Sequence, residues 1–158
     1  MGWHPLLPLP YVTVSEVEAL LEQLSGWGGS IRLIELASEL GMEIDELNEV
    51  IDMSEILKFV KVEKGVVTLT GTGKRIVESD DKERKALIKK RISALEPFRS
   101  VYNYIKKNPD ISKAELLDFL KQKYAASDQR TLLKFLFNWM IYCDMLTYDI
   151  ETDSFKIC

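Results

Sequence analysis

The feature that most constrains the fold is an order of elements that occurs twice. Residues 56–69 read as a helix end, a short run Phe59-Val-Lys-Val62, a turn at Glu63-Lys-Gly65, and a second run Val66-Val-Thr-Leu69. Residues 142–157 keep that order, with Met145-Leu-Thr-Tyr148, the polar turn Asp149-Ile-Glu-Thr-Asp153, and Ser154-Phe-Lys-Ile157. Short apolar runs on either side of a polar bend are the pattern of a β-hairpin. The residues differ between the two copies, so the repeat is architectural. Each hairpin needs helices to cover one face, and helical patterns precede both.

An extended arm, residues 1–14, comes first, because Pro5, Pro8 and Pro10 bias their predecessors away from helix. Ser15 reads as an N-cap with Glu18 as its capping-box partner, ahead of the stripe Val17, Leu20, Leu21, Leu24. Ser30 opens a second helix with Leu33, Leu36, Ala37 and Leu40 inward, stopped by Gly41. A third runs from about Glu43, with Ile44, Leu47, Val50, Ile51, Ile56 and Leu57 inward. In the second half, residues 81 to about 108 form a long helix bent near Pro97, which cannot donate to the helical ladder. Ser112 caps a helix to about Tyr124 with Glu115 as box partner, and Asp128 opens another to about Tyr142. Three helices, two of them across a short turn, followed by a hairpin describe a winged helix. The reading is therefore mainly α with small β-hairpins (α+β), as two tandem winged-helix units joined by a long helix. The divisions are an arm 1–14, a first unit 15–80, and a linking helix with the second unit 81–158.

Several stretches are similar to one family in their order along most of the chain. They are Pro10-Tyr-Val-Thr-Val-Ser-Glu-Val-Glu18, Glu35-Leu-Ala-Ser-Glu-Leu40, Glu43-Ile-Asp-Glu-Leu47, Val67-Thr-Leu-Thr-Gly-Thr-Gly73 and Asp80-Asp-Lys-Glu-Arg-Lys85, with Trp139 and Thr147-Tyr-Asp149. They resemble the AAA-associated C-terminal domain, a module at the C-terminus of some archaeal and bacterial ABC-transporter ATPases of the nitrate/sulfonate type. The resemblance implies a regulatory or interaction role near transport and supplies no activity. No ATPase precedes the module here, so the expectation is a free-standing relative or a fragment of a fusion. The partner it implies is an ABC-type ATPase.

The charge distribution bears on the other use of a winged helix, reading DNA. Net charge is −4, but residues 1–81 carry 6 Lys+Arg against 15 Asp+Glu and residues 82–158 carry 15 against 10. A DNA reader offers cations from its recognition helix and wing. The corresponding helix of the first unit instead carries Glu43, Asp45, Glu46, Glu49, Asp52 and Glu55 against Lys58. The second unit offers Arg130 and Lys134, with Lys121 and Lys123 ending the preceding helix, and these are the alternative DNA contacts. Its last helix is apolar nearly all round, and Phe135, Phe137, Trp139 and Tyr142 form either core or an interface, including one to a second copy. The strongest basic cluster, Lys82, Arg84, Lys85, Lys89, Lys90 and Arg91, is a solvated helix surface or a docking surface for an acidic partner or nucleic acid.

Chemistry is sparse. The single histidine, His4, has no ligand cluster around it in sequence, and Cys143 and Cys158 read as a buried apolar thiol and a free terminal one. Thr70-Gly-Thr-Gly-Lys74 lacks the glycine and the Ser/Thr a phosphate loop requires; Thr70 instead caps a helix over about Gly71–Ser79. No catalytic, cofactor or metal site is expected, nor any membrane insertion, and the expected location is the cytoplasm. Protein contact leads, with possible homodimerisation. DNA binding follows, and a small-molecule site near Trp139 and Tyr142 is third.

Overall fold

A computed structural model describes residues 9–124 and 128–158. His4 and most of the proline-rich arm lie outside the described residues. The chain divides into Pro10–Leu87 and a second unit that contains Ile88–Cys158. The two are built on one plan.

In the first unit, α1 (Val14–Gly26) is followed by β1 (Ser30–Arg32), α2 (Leu33–Leu40), α3 (Ile44–Ile56), β2 (Val60–Glu63), β3 (Val66–Leu69) and α4 (Gly71–Glu78). The strands form an antiparallel sheet in the order β1-β3-β2. α5 (Asp81–Ile92) spans the division between units. The second unit continues with α6 (Phe98–Lys107), β4 (Ile111–Ser112), α7 (Lys113–Tyr124), α8 (Gln129–Tyr142), β5 (Leu146–Asp149) and β6 (Ser154–Ile157). Its sheet has the matching order β4-β6-β5, also antiparallel. The described residues are mainly helical, with these two small sheets.

The repeat extends to individual hydrogen bonds. Leu57, Lys58 and Phe59 donate their N–H groups to Met53, Glu55 and Ser54. Cys143, Asp144 and Met145 donate in the same pattern to Trp139, Ile141 and Met140. Lys58 and Asp144 both take positive φ, 65° and 57°, which turns the chain from helix into hairpin. The N–H opening α2 reaches the hairpin turn (Leu33 to Gly65, 2.8 Å), as does that of α7 (Lys113 to Asp153, 3.2 Å). These bonds fix a residue-by-residue correspondence between α3 and α8. Glu46 answers to Leu132, Glu49 to Phe135, and Met53 to Trp139.

Three expectations are corrected. The first helix starts at Val14, with Thr13 as N-cap and Glu16 as box partner. Thr13 and Ser15 carry the same Ser/Thr-x-x-Glu signal, and the earlier start puts Val14 in the core, 2% exposed. Ser30 does not open a helix: Ser30–Arg32 pairs with β3, and the Ser30 hydroxyl meets that of Thr68 at 3.0 Å. Tertiary pairing has captured residues that helical spacing assigned to α2. Residues 81–108 form no single long helix but α5 and α6, separated by residues 93–97. The two hairpins, Ser112 capping through Glu115 N–H (3.1 Å), and Asp128 capping through Thr131 N–H (3.1 Å) stand as expected.

Each core follows the helical stripes. Leu20, Leu21, Leu24, Leu36, Leu47, Met53, Phe59 and Val67 are nearly inaccessible in the first unit, as are Phe98, Leu116, Leu120, Leu136, Trp139 and Phe155 in the second. Ile44 and Ile56, expected inward, are 40% and 37% exposed.

Candidate interaction surface

α3 places its apolar residues Leu47, Val50, Ile51 and Met53 inward, and that orientation turns the acidic residues out. Glu43, Asp45, Glu46, Glu49, Asp52 and Glu55 are all exposed, a solvated face. Glu55 alone reaches back, accepting from Val62 N–H at 3.4 Å. At the helix start, Glu43, Ile44, Asp45 and Glu46 form an unbroken exposed run.

α8 occupies the same place in the second unit with a different surface. Where α3 exposes Glu46 and Glu49, α8 buries Leu132 and Phe135, and the Phe135 ring tilts against Phe98 with centroids 5.6 Å apart. Trp139 is wholly enclosed. Phe137 is half-buried against Phe155 at 4.5 Å, and Tyr142 is half-buried. The aromatic residues therefore belong largely to the core of their own unit. The outward stripe of α8 is Arg130, Lys134, Asn138 and Ile141. Beside it lies a pocket of about 340 Å³ lined by Lys113, Arg130, Leu133, Lys134 and Phe137. Its floor is apolar and all three charged residues are cations.

Lys113 was not among the residues the sequence singled out. The matched hydrogen bonds of Leu33 and Lys113 to the two hairpin turns were the signal for it, because they put Lys113 where the first unit has leucine. At the pocket's other positions the first unit has Ile44, Leu47, Asn48 and Ile51, so the cations are particular to the second unit. Lys121 and Lys123 are exposed at the end of α7, outside this pocket.

The basic segment on α5 is divided. Lys82, Lys89 and Lys90 are exposed, while Lys85 and Arg91 are half-buried. Arg84 is turned inward with its side chain 15% exposed. Its guanidinium donates to Glu18 at 3.2 Å, Glu22 at 3.5 Å and the carbonyls of Ile76 and Val77. It braces α5 to α1 and α4. Arg75 of α4 pairs with Glu83 at 3.1 Å.

The glycine-rich stretch after β3 is structural. Thr70 accepts from Gly73 N–H at 3.1 Å and caps α4. A Cβ on Gly73 would lie 2.2 Å from the Phe59 carbonyl oxygen, so the glycine permits a close approach of α4 to the strand start. Glu96, Ser100, Arg99 and Tyr124 form the main shielded polar cluster of the second unit. Burial works against the Glu96 charge. Hydrogen bonds from Ser100, Tyr124 (2.8 Å) and Arg99 (2.9 Å) outweigh it and hold the carboxyl below its ordinary range. Burial, with the Glu96 carboxylate adding to it, pushes the Tyr124 phenol up. So many donors make Glu96 a brace rather than a proton carrier. Among the described residues no group of three or more His, Cys, Asp or Glu could hold a metal ion, and no helix is long and apolar enough to cross a membrane. Cys143 is buried and Cys158 exposed, both free.

No curated protein and no solved structure matches the chain. One family does match, described as the C-terminal AAA-associated domain, over residues 34–149. That span takes in α3 with its acidic face, the whole of α5 to α8 and β5, the first strand of the second hairpin, and it contains all the family-like motifs except residues 10–18. The chain belongs to the C-terminal AAA-associated domain family.

Proposed function

We propose that this chain is a non-catalytic protein-interaction module that regulates an ABC-type ATPase or its transporter. It acts as two tandem winged-helix units, 15–80 and 81–158, after an arm, 1–14. Family membership supports an ATPase partner. The observation that carries the protein-contact reading is the α3 surface. At the position where a winged helix offers cations to a phosphate backbone, the first unit exposes six carboxylates. The alternative reading is DNA binding through the second unit and the 82–91 segment, and Arg130, Lys134 and Lys113 are its best support. Against it stands the second hairpin, whose turn carries Asp149, Glu151 and Asp153 where a wing would approach phosphate. Arg84, held by Glu18 and Glu22, is also withdrawn from that segment's outer face.

The test is ATP hydrolysis by ABC-type ATPases taken from the same genome, with and without saturating chain. A change of about fivefold or more is expected, from the low end of typical allosteric couplings upward. An unchanged rate together with no measurable complex would count against the reading.

A further inference from the structure

We propose that the cation-lined pocket of α7 and α8 is the docking site for the acidic start of α3 from a second copy of the chain. The inference rests on the protein-contact reading above and names one contact within it.

Among the described residues the carboxylates near the pocket's cations in sequence have other hydrogen-bond partners, although Asp128 also feels the Arg130 charge. Asp128 accepts from the Thr131 N–H and hydroxyl. Glu115 accepts from the Ser112 hydroxyl, Asp110 pairs with Lys156 at 3.5 Å, and Asp153 accepts from the Tyr148 hydroxyl. Among the described residues, Lys113, Arg130 and Lys134 form no ion pair within 4.0 Å. Three cations around the apolar floor of Leu133 and Phe137 select a ligand with carboxylates around an apolar side chain.

The chain carries such a surface. Glu43, Asp45 and Glu46 surround the exposed Ile44, and none of the three carboxylates is in an ion pair among the described residues. The α3 helix dipole adds only about half a positive charge at this end, far less than three carboxylates. A pocket of about 340 Å³ has room for an isoleucine side chain. The contact joins two different surfaces, so it is heterologous, and an open assembly keeps one unused pocket at one end and one unused acidic surface at the other. Association therefore extends with concentration unless a ring closes.

Sedimentation velocity on the full chain, over a concentration series from about 10 µM to about 1 mM at low salt, tests this. The weight-average mass should rise above that of the monomer. In about 1 M salt, where the screening length falls to about 3 Å, association should weaken by tenfold or more. Arg130→Glu with Lys134→Glu should leave a monomer, as should Asp45→Lys with Glu46→Lys, all at exposed positions and with circular dichroism unchanged. The two variants mixed should associate again, because the acidic knob of the first meets the cationic pocket of the second and the two reversed surfaces are also opposite in charge. A wild-type monomer throughout, association indifferent to either pair of substitutions, or a mixture that stays monomeric overturns the inference. If the chain still alters the partner's ATPase rate, only this contact falls. If neither effect is seen, the protein-contact reading falls with it.

Discussion

The α3 and α8 helices end in the same hydrogen bonds, turn into the same hairpin and present nearly opposite surfaces. At the positions of Glu46 and Glu49, solvent-facing in the first unit, the second has Leu132 and Phe135 packed inward, the latter on Phe98. At Ile44 and Asn48 the second unit has Arg130 and Lys134. The backbone plan thus constrains the helix ends and the hairpin, where hydrogen bonds must be satisfied. It leaves the helix faces free to be buried or charged. Two units of one topology can therefore have different partners.

The sharpest way to break this comparison is to substitute matched positions. Phe135→Ala should destabilise the protein by about 3–5 kcal/mol, because it empties a buried aromatic site. Glu49→Ala, at the corresponding place on α3, should stay within about 0.5 kcal/mol. Urea unfolding of both variants checks this, and equal costs would mean the two helices are not placed as described.

A second test concerns α4, the helix that follows the hairpin of the first unit. Gly73→Ala should cost about 1–3 kcal/mol by forcing α4 off the Phe59 carbonyl. Gly71→Ala, where an added Cβ meets nothing within 4 Å, serves as the control in the same melting experiment. An unchanged melting temperature for Gly73→Ala would remove the packing explanation of the glycine.

The smallest effect concerns the shielded cluster of the second unit. The folded Glu96 carboxyl lies below its ordinary range, so its contribution is present above the unfolded pKa and lost as pH falls through the folded one. Glu96→Gln should therefore cost about 1 kcal/mol at neutral pH and almost nothing in strong acid. Denaturation of wild type and variant along a pH series measures the convergence. A difference that does not shrink in acid would show that the charge is not the relevant property.

Much of this was legible in the sequence where local chemistry decided the structure. The two hairpins and the caps at Ser112 and Asp128 rest on residues whose backbone preferences act locally. What was not legible required a distant partner. Ser30–Arg32 became a strand because β3 has an edge to fill. Arg84 looked like one more surface cation until Glu18 and Glu22, on another helix, were brought to it. Ile44 kept helical spacing but points outward, since periodicity alone does not say how wide the covered face will be. Lys113 stood out only when the two units could be matched bond by bond.

The central proposal is that the exposed charge serves protein contact and not the reading of phosphates. Fluorescence anisotropy with a labelled mixed-sequence duplex, titrated with the full chain from about 50 mM to about 200 mM salt, tests it most directly. The account expects binding weaker than about 10⁻⁴ M even at the lower salt, the weak limit of non-specific association. Binding at micromolar concentration or tighter, falling steeply with salt and abolished by Arg130→Glu with Lys134→Glu, would contradict it.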